Sequence, residues 1–172
     1  MNLYTPSTAT WTNPGARFAL RQITEYPYDS VIRLDVSSSR PETFSVFLRI
    51  PEWAEGASLT VSGTRDTRKL QPGTFAEIRR EWKSGDRIEL DLPLKMRLEP
   101  VDAQHPDTVA LVSGPLALMA LGGASLRLAK AELLAAEPEF PGSRTWRAGD
   151  LKLRSFPDIN DEPYSTYLRV TG

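Results

Sequence analysis

The chain has 172 residues, no cysteine, a hydrophobic fraction of 40% and a charged fraction of 25%. Its formal net charge is −1, so it carries no basic footprint of the kind nucleic acid requires. Without cysteine it can form neither disulfides nor thiolate metal sites. No apolar run nears the roughly 20 residues of a membrane-spanning helix, and the opening Met1-Asn-Leu-Tyr-Thr-Pro6 has neither the basic nor the apolar region of a signal peptide. The expectation is a soluble globular chain with no nucleic-acid or membrane partner, and its compartment stays unassigned.

Along the first hundred residues the dominant period is two. Ile32, Leu34 and Val36 alternate with Arg33 and Asp35. Phe44, Val46, Leu48 and Ile50 alternate with Thr43, Ser45, Phe47 and Arg49, and Ile88, Leu90 and Leu92 with Arg87, Glu89 and Asp91. Such alternation puts one strand face on a core and the other toward solvent, and it favours antiparallel pairing over strands buried on both faces. Turn chemistry divides these runs at Asn13-Pro-Gly15, Ser37–Pro41, Glu55-Gly56, Ser62-Gly63, Gln71-Pro-Gly73 and Ser84-Gly-Asp86. Pro51 and Pro93 end strand runs, because proline supplies no ladder donor.

Beyond Pro100 the composition changes. Asp102–Asp107 reads as a linker or long loop. Val109–Val112 and Leu116–Leu121 read as buried strands closed by Ser113-Gly-Pro115 and Gly122-Gly123. Leu126–Glu137 is the one good helix candidate, ended by Pro138, and Tyr164–Val170 is a last strand. The pattern predicts an all-β protein. An antiparallel β-sandwich of jelly-roll type spans about residues 1–100, and a second, smaller β-rich unit spans about 106–172.

Few residues look chemical. Glu52, Glu55, Glu81, Asp86, Glu89 and Asp91 supply carboxylates, but a glycosidase needs two of them about 5–9.5 Å apart across a cleft. The alternation of Glu89 and Asp91 places both on a solvated face. His105, the only histidine, sits in a Pro-flanked loop and reads as exposed. A zinc site needs about three or four ligands, so no metal site, cofactor or catalytic residue is predicted. Trp53 and Trp82 stand at strand ends and read as core or edge packing. Trp146 lies in the polar stretch Pro141–Asp150. It is the expected exposed tryptophan, with a structural or interdomain role as the first reading and substrate binding as the second, since sugar C–H edges stack on aromatic faces.

Motifs in one order run through nearly the whole chain. They are Asn2-Leu-Tyr-Thr-Pro-Ser7, Thr24-Glu-Tyr-Pro27, Leu48-Arg-Ile-Pro-Glu-Trp-Ala54, Gly73-Thr-Phe75, Arg80-Glu-Trp82 with Gly85-Asp86, Val109-Ala110, Gly114-Pro115 and Asp161-Glu-Pro-Tyr164 with Tyr167. Together they resemble the region C-terminal to the catalytic barrel in glycoside hydrolase family 127, the β-L-arabinofuranosidase family also known as DUF1680. That family's chemistry uses a cysteine cluster around zinc and a glutamate, all on an (α/α)6 barrel, and none of those residues can be carried over here. Ser62-Gly63 departs from the family's Asn-Gly, which implies a looser hairpin. The resemblance implies a non-catalytic accessory region whose partner is the catalytic barrel, with Leu3 and Tyr4 on the face that meets it. The alternative is a stand-alone carbohydrate-binding module, with carbohydrate as its partner.

Overall fold

The computed structural model describes residues 1–122 and 128–171. The described residues divide into two compact units, Met1–Leu94 and Lys95–Gly172. The first contains β1 (Ser7–Asn13), β2 (Ala16–Ile23), β3 (Val31–Ser38), β4 (Glu42–Arg49), β5 (Ser58–Val61), β6 (Thr64–Arg65), β7 (Phe75–Trp82) and β8 (Arg87–Asp91). Six of these form one sheet in the order β1-β2-β3-β8-β5-β6, and β4 and β7 form a two-stranded ribbon. All their pairings are antiparallel.

One core holds the two layers together. Leu20, Ile32, Leu34, Leu59, Ile88 and Leu90 enter it from the large sheet, and Val46, Leu48, Ala76, Ile78 and Trp82 from the ribbon. This is the expected antiparallel sandwich, with its strands divided six against two. Each large aliphatic buried here contributes about 1.5–3 kcal/mol. A one-residue slip of any strand would turn its apolar set outward, so the alternation also sets the register.

The second unit contains β9 (Met96–Pro100), β10 (Thr108–Ser113), β11 (Leu116–Leu121), β12 (Leu128–Ala129), α1 (Lys130–Leu134), β13 (Glu137–Pro138), β14 (Thr145–Ala148), β15 (Leu151–Ser155), β16 (Tyr164–Ser165) and β17 (Leu168–Thr171). Its strands join one sheet centred on β10 and β11, where five of the six β10 residues are buried. Residues 96–100, placed by the sequence reading at the end of the first domain, pair with β10. Asp102–Asp107 is therefore the loop of the β9–β10 hairpin, closed where the Val101 N–H donates to Thr108 O at 2.8 Å.

The helix expected over Leu126–Glu137 is shorter than its composition suggests. Leu126, Arg127 and Gly123 lie outside the described residues. Leu128 and Ala129 are extended and run parallel to β17, α1 covers only Lys130–Leu134 without a side-chain N-cap, and Glu137–Pro138 pairs with β14. Strand pairing on both sides overrides a propensity worth only tenths of a kcal/mol per residue.

Candidate functional site

The ends of the first unit's sandwich gather most of its motif residues. At one end β7 runs inward-facing into Trp82, which is 0% exposed. Its indole N–H donates to Phe44 O at 3.0 Å. Phe44 packs against Trp82, Phe18 and Trp11, and Trp11 stacks on Phe18 at 5.4 Å between centroids. The Arg80 guanidinium lies over Trp82, 5.2 Å from the ring centroid, and reaches Asp86 at 3.6 Å.

Asp86 closes the turn that follows. Its carboxylate accepts from the Lys83 backbone N–H at 3.0 Å and from the Ser62 hydroxyl at 2.8 Å. Burial acts to raise its pKa. The Lys83 N–H, the Ser62 hydroxyl and the positive charges of Arg80 and Lys83 outweigh that, so the carboxyl stays below its ordinary value. Arg80, Trp82, Gly85 and Asp86 thus form one structural assembly. Ser62 ties it to the β5–β6 hairpin, where the Ser62 N–H also donates to Arg87 O at 2.7 Å. Ser62 has φ of 47° and Gly63 of 82°, the left-handed pair a two-residue hairpin needs. The side-chain bond to Asp86 anchors the serine that the sequence reading expected to loosen the turn.

At the other end, Leu48–Ala54 and Gly73–Phe75 answer each other. Past the last β4–β7 pair, the Ile50 N–H donates to Thr74 O and the Gly73 N–H to Ile50 O, both at 2.8 Å. Gly73 has φ of 79° and lies against the Glu52 side chain, so a side chain there would be strained and crowded. Pro51 starts a turn in which the Ala54 N–H donates to Pro51 O. Ala54 is buried and Trp53 half-buried against the core.

Other sequence-predicted residues land where no chemistry converges. Trp146, expected to be exposed, is 8% exposed on β14. Its strand pairs with both β13 and β15, and Trp146 stands opposite Pro138 and Leu153. The Trp146-x-Ala148 alternation before the Gly149-Asp150 hairpin loop is the sequence signal of this strand. Glu52, Glu55 and Glu81 are exposed, and Glu89 pairs with Arg33 at 3.0 Å. Asp91, expected on a solvated face, has its Oδ1 buried with no hydrogen-bond partner among the described residues. His105 is exposed and its Nδ1 lies 2.8 Å from Asp102 Oδ1. Among the described residues no group of three or more His, Asp or Glu could hold a metal ion.

The N-terminal segment divides the two residues expected on one face. Leu3 is 72% exposed, but Tyr4 is 5% exposed in the core. Its hydroxyl donates to Arg49 O at 2.5 Å and its ring meets Tyr26 edge-on. Burial, with Tyr26 adding, pushes the Tyr4 phenol well above its ordinary pKa. The buried Gln22 amide donates to Leu3 O and Thr5 O and so holds the chain that carries Tyr4 inward.

A two-layer antiparallel sandwich whose ends are built from paired sequence motifs defines the fold class of the first unit. Residues 1–94 match the family model of the β-L-arabinofuranosidase GH127 middle domain, and the chain belongs to glycoside hydrolase family 127. The matching domain is the family's middle one, where the motif resemblance implied a C-terminal region. No curated protein sequence matches the chain. Among solved structures it is similar to a GH127 β-L-arabinofuranosidase from Geobacillus stearothermophilus T6, with TM-score 0.77, 22% identity, and coverage of 98% of this chain and 33% of that one. It is also similar to a glycoside hydrolase with TM-score 0.79 and 20% identity, covering 99% of this chain and 35% of that one. A GH127 β-arabinofuranosidase gives TM-score 0.71 and 21% identity, with coverage of 98% and 34%. At these identities the likeness is one of fold, and the chain spans about a third of the length of these structures.

Proposed function

We propose that this chain is a non-catalytic accessory region of a family-127-like glycoside hydrolase, packing on a catalytic (α/α)6 barrel that precedes it and stabilising that barrel. The match of residues 1–94 to the family's middle domain carries this reading. Support comes from the relatives' length, about three times that of this chain, and from the use of the motif residues within the sandwich itself. The parent activity would be that of the named relatives, hydrolysis of arabinofuranosides.

The docking face of this reading is the outer side of the β4–β7 ribbon together with Leu3. Phe47 and Phe75 are 48% and 54% exposed. They occupy diagonal positions of the ladder, Phe47 opposite Glu77 and Phe75 opposite Arg49. The Met1 amine donates to Phe47 O and the Arg49 N–H to Met1 O, so the N-terminal segment runs along the β4 edge beside this face. Exposed aromatics rimmed by charge are the composition of an interface core.

Sedimentation of this chain mixed with a separately produced family-127 barrel tests the reading. A one-to-one complex is expected, weakened by Phe47→Ser with Phe75→Ser. A chain that ignores the barrel and binds soluble saccharide instead would replace this reading with that of a free-standing carbohydrate-binding module.

A further inference from the structure

The six-stranded sheet turns its other face away from the core, and one end of that face is built unlike the rest. β1, β2 and β3 are in register there, so that Thr10, Ala19 and Ser37 form one cross-strand row. Thr12 and Arg17 form the next. Ser39 extends that row, since its N–H donates to Arg17 O and its hydroxyl accepts from the Arg17 N–H, both at 3.0 Å. Ala19 is the small side chain in the middle, and the larger neighbours around it leave an open trough of about 560 Å³, bounded on one side by Ser84. The trough continues past Arg17 toward the β1–β2 turn at Gly15.

Farther along the same face Arg33 pairs with Glu89 and Arg87 with Asp35. The trough is lined differently, although Arg21 beyond it on β2 is also in no ion pair among the described residues. No carboxylate lines it, and Arg17 forms no ion pair among the described residues. The hydroxyls of Thr10, Thr12, Ser37 and Ser84 likewise make no hydrogen bond within the described residues. A row of hydroxyls can donate and accept, which matches a polyol, while a guanidinium with no carboxylate partner is a bidentate donor for a carboxylate. The volume falls in the range of small-molecule sites, about 300–1,000 Å³.

We propose that this trough binds a carboxylated sugar, with Arg17 on the carboxylate, the Thr10, Thr12, Ser37 and Ser84 hydroxyls on the ring hydroxyls, and Ala19 as the floor. The site is independent of the ribbon face proposed to meet a barrel, which lies on the opposite side of the sandwich.

Amide chemical shifts of the full chain, titrated with D-galacturonate, D-galactose and inorganic phosphate, test it. Galacturonate should shift the Thr10, Ala19 and Ser37 amides saturably. Galactose should bind at least about tenfold more weakly, the loss expected when a charge-assisted pair is missing. Arg17→Gln should cost galacturonate a similar factor, and Ala19→Leu, which fills the floor, should abolish binding. The rest of each variant's spectrum reports that it is folded. Absence of saturable shifts, galactose binding as tightly as galacturonate, or phosphate binding as tightly as galacturonate would each overturn the proposal. So would full affinity in a folded Arg17→Gln variant.

Discussion

The two ends of the first unit carry the same kind of sequence signal, a strand running into a tryptophan and a turn, and they bury it differently. Trp82 belongs to β7 itself, at a position whose parity points inward, and the pleat delivers it whole to the core. Trp53 lies beyond β4, past Pro51, where the ladder has stopped and a turn sets its direction. Strand periodicity therefore predicts burial only as far as the hydrogen-bonded ladder reaches. Past that point a tryptophan covers the core as a lid.

Truncation separates the two ends most sharply. Trp82→Ala should cost about 3–5 kcal/mol, as large buried aromatics do, because it also strands Arg80 and the Phe44 carbonyl. Urea denaturation should show the midpoint falling with an unchanged slope. Equal loss from Trp53→Ala would erase the distinction between the ends.

Asp86→Ala should follow, at about 2–3 kcal/mol, since it leaves buried donors unmatched. This carboxyl is held below its ordinary value in the folded chain. Its contribution is thus fully present above the unfolded pKa of about 3.9 and is lost as pH falls through the lower folded value. Thermal melts of Asp86→Asn between pH 2 and neutrality should show a shallower acid decline than the parent.

Trp53→Ala should cost less, about 1–2 kcal/mol, because the ring covers the core from outside and part of it already meets water, and calorimetry would resolve it. The smallest effect is expected at Ser62. Ser62→Gly removes a left-handed strain of about 1–2 kcal/mol and also a hydrogen bond to Asp86 worth about 1 kcal/mol. Its melting temperature should stay within a few degrees of the parent's.

Much of this arrangement was legible in the sequence. The alternation at Leu34, Val46 and Leu90 predicted the antiparallel sandwich, and the Gly and Pro turns predicted its hairpins. Individual burial was harder. Tyr4 reads as a surface residue because nothing local shows the Gln22 amide and Arg49 carbonyl that draw it in. Trp146 reads as exposed because β14 is short and holds only two apolar residues, too few for a period of two to show. The trough at Ala19 has no motif at all, since it arises from the register of three strands.

The proposed accessory role requires that this chain, on its own, hydrolyse no arabinofuranoside. The most direct measurement is turnover of an aryl arabinofuranoside by the purified chain at high concentration, with single carboxylate variants such as Asp91→Asn alongside. The account predicts hydrolysis no faster than in buffer. Turnover that one such substitution abolishes would contradict it.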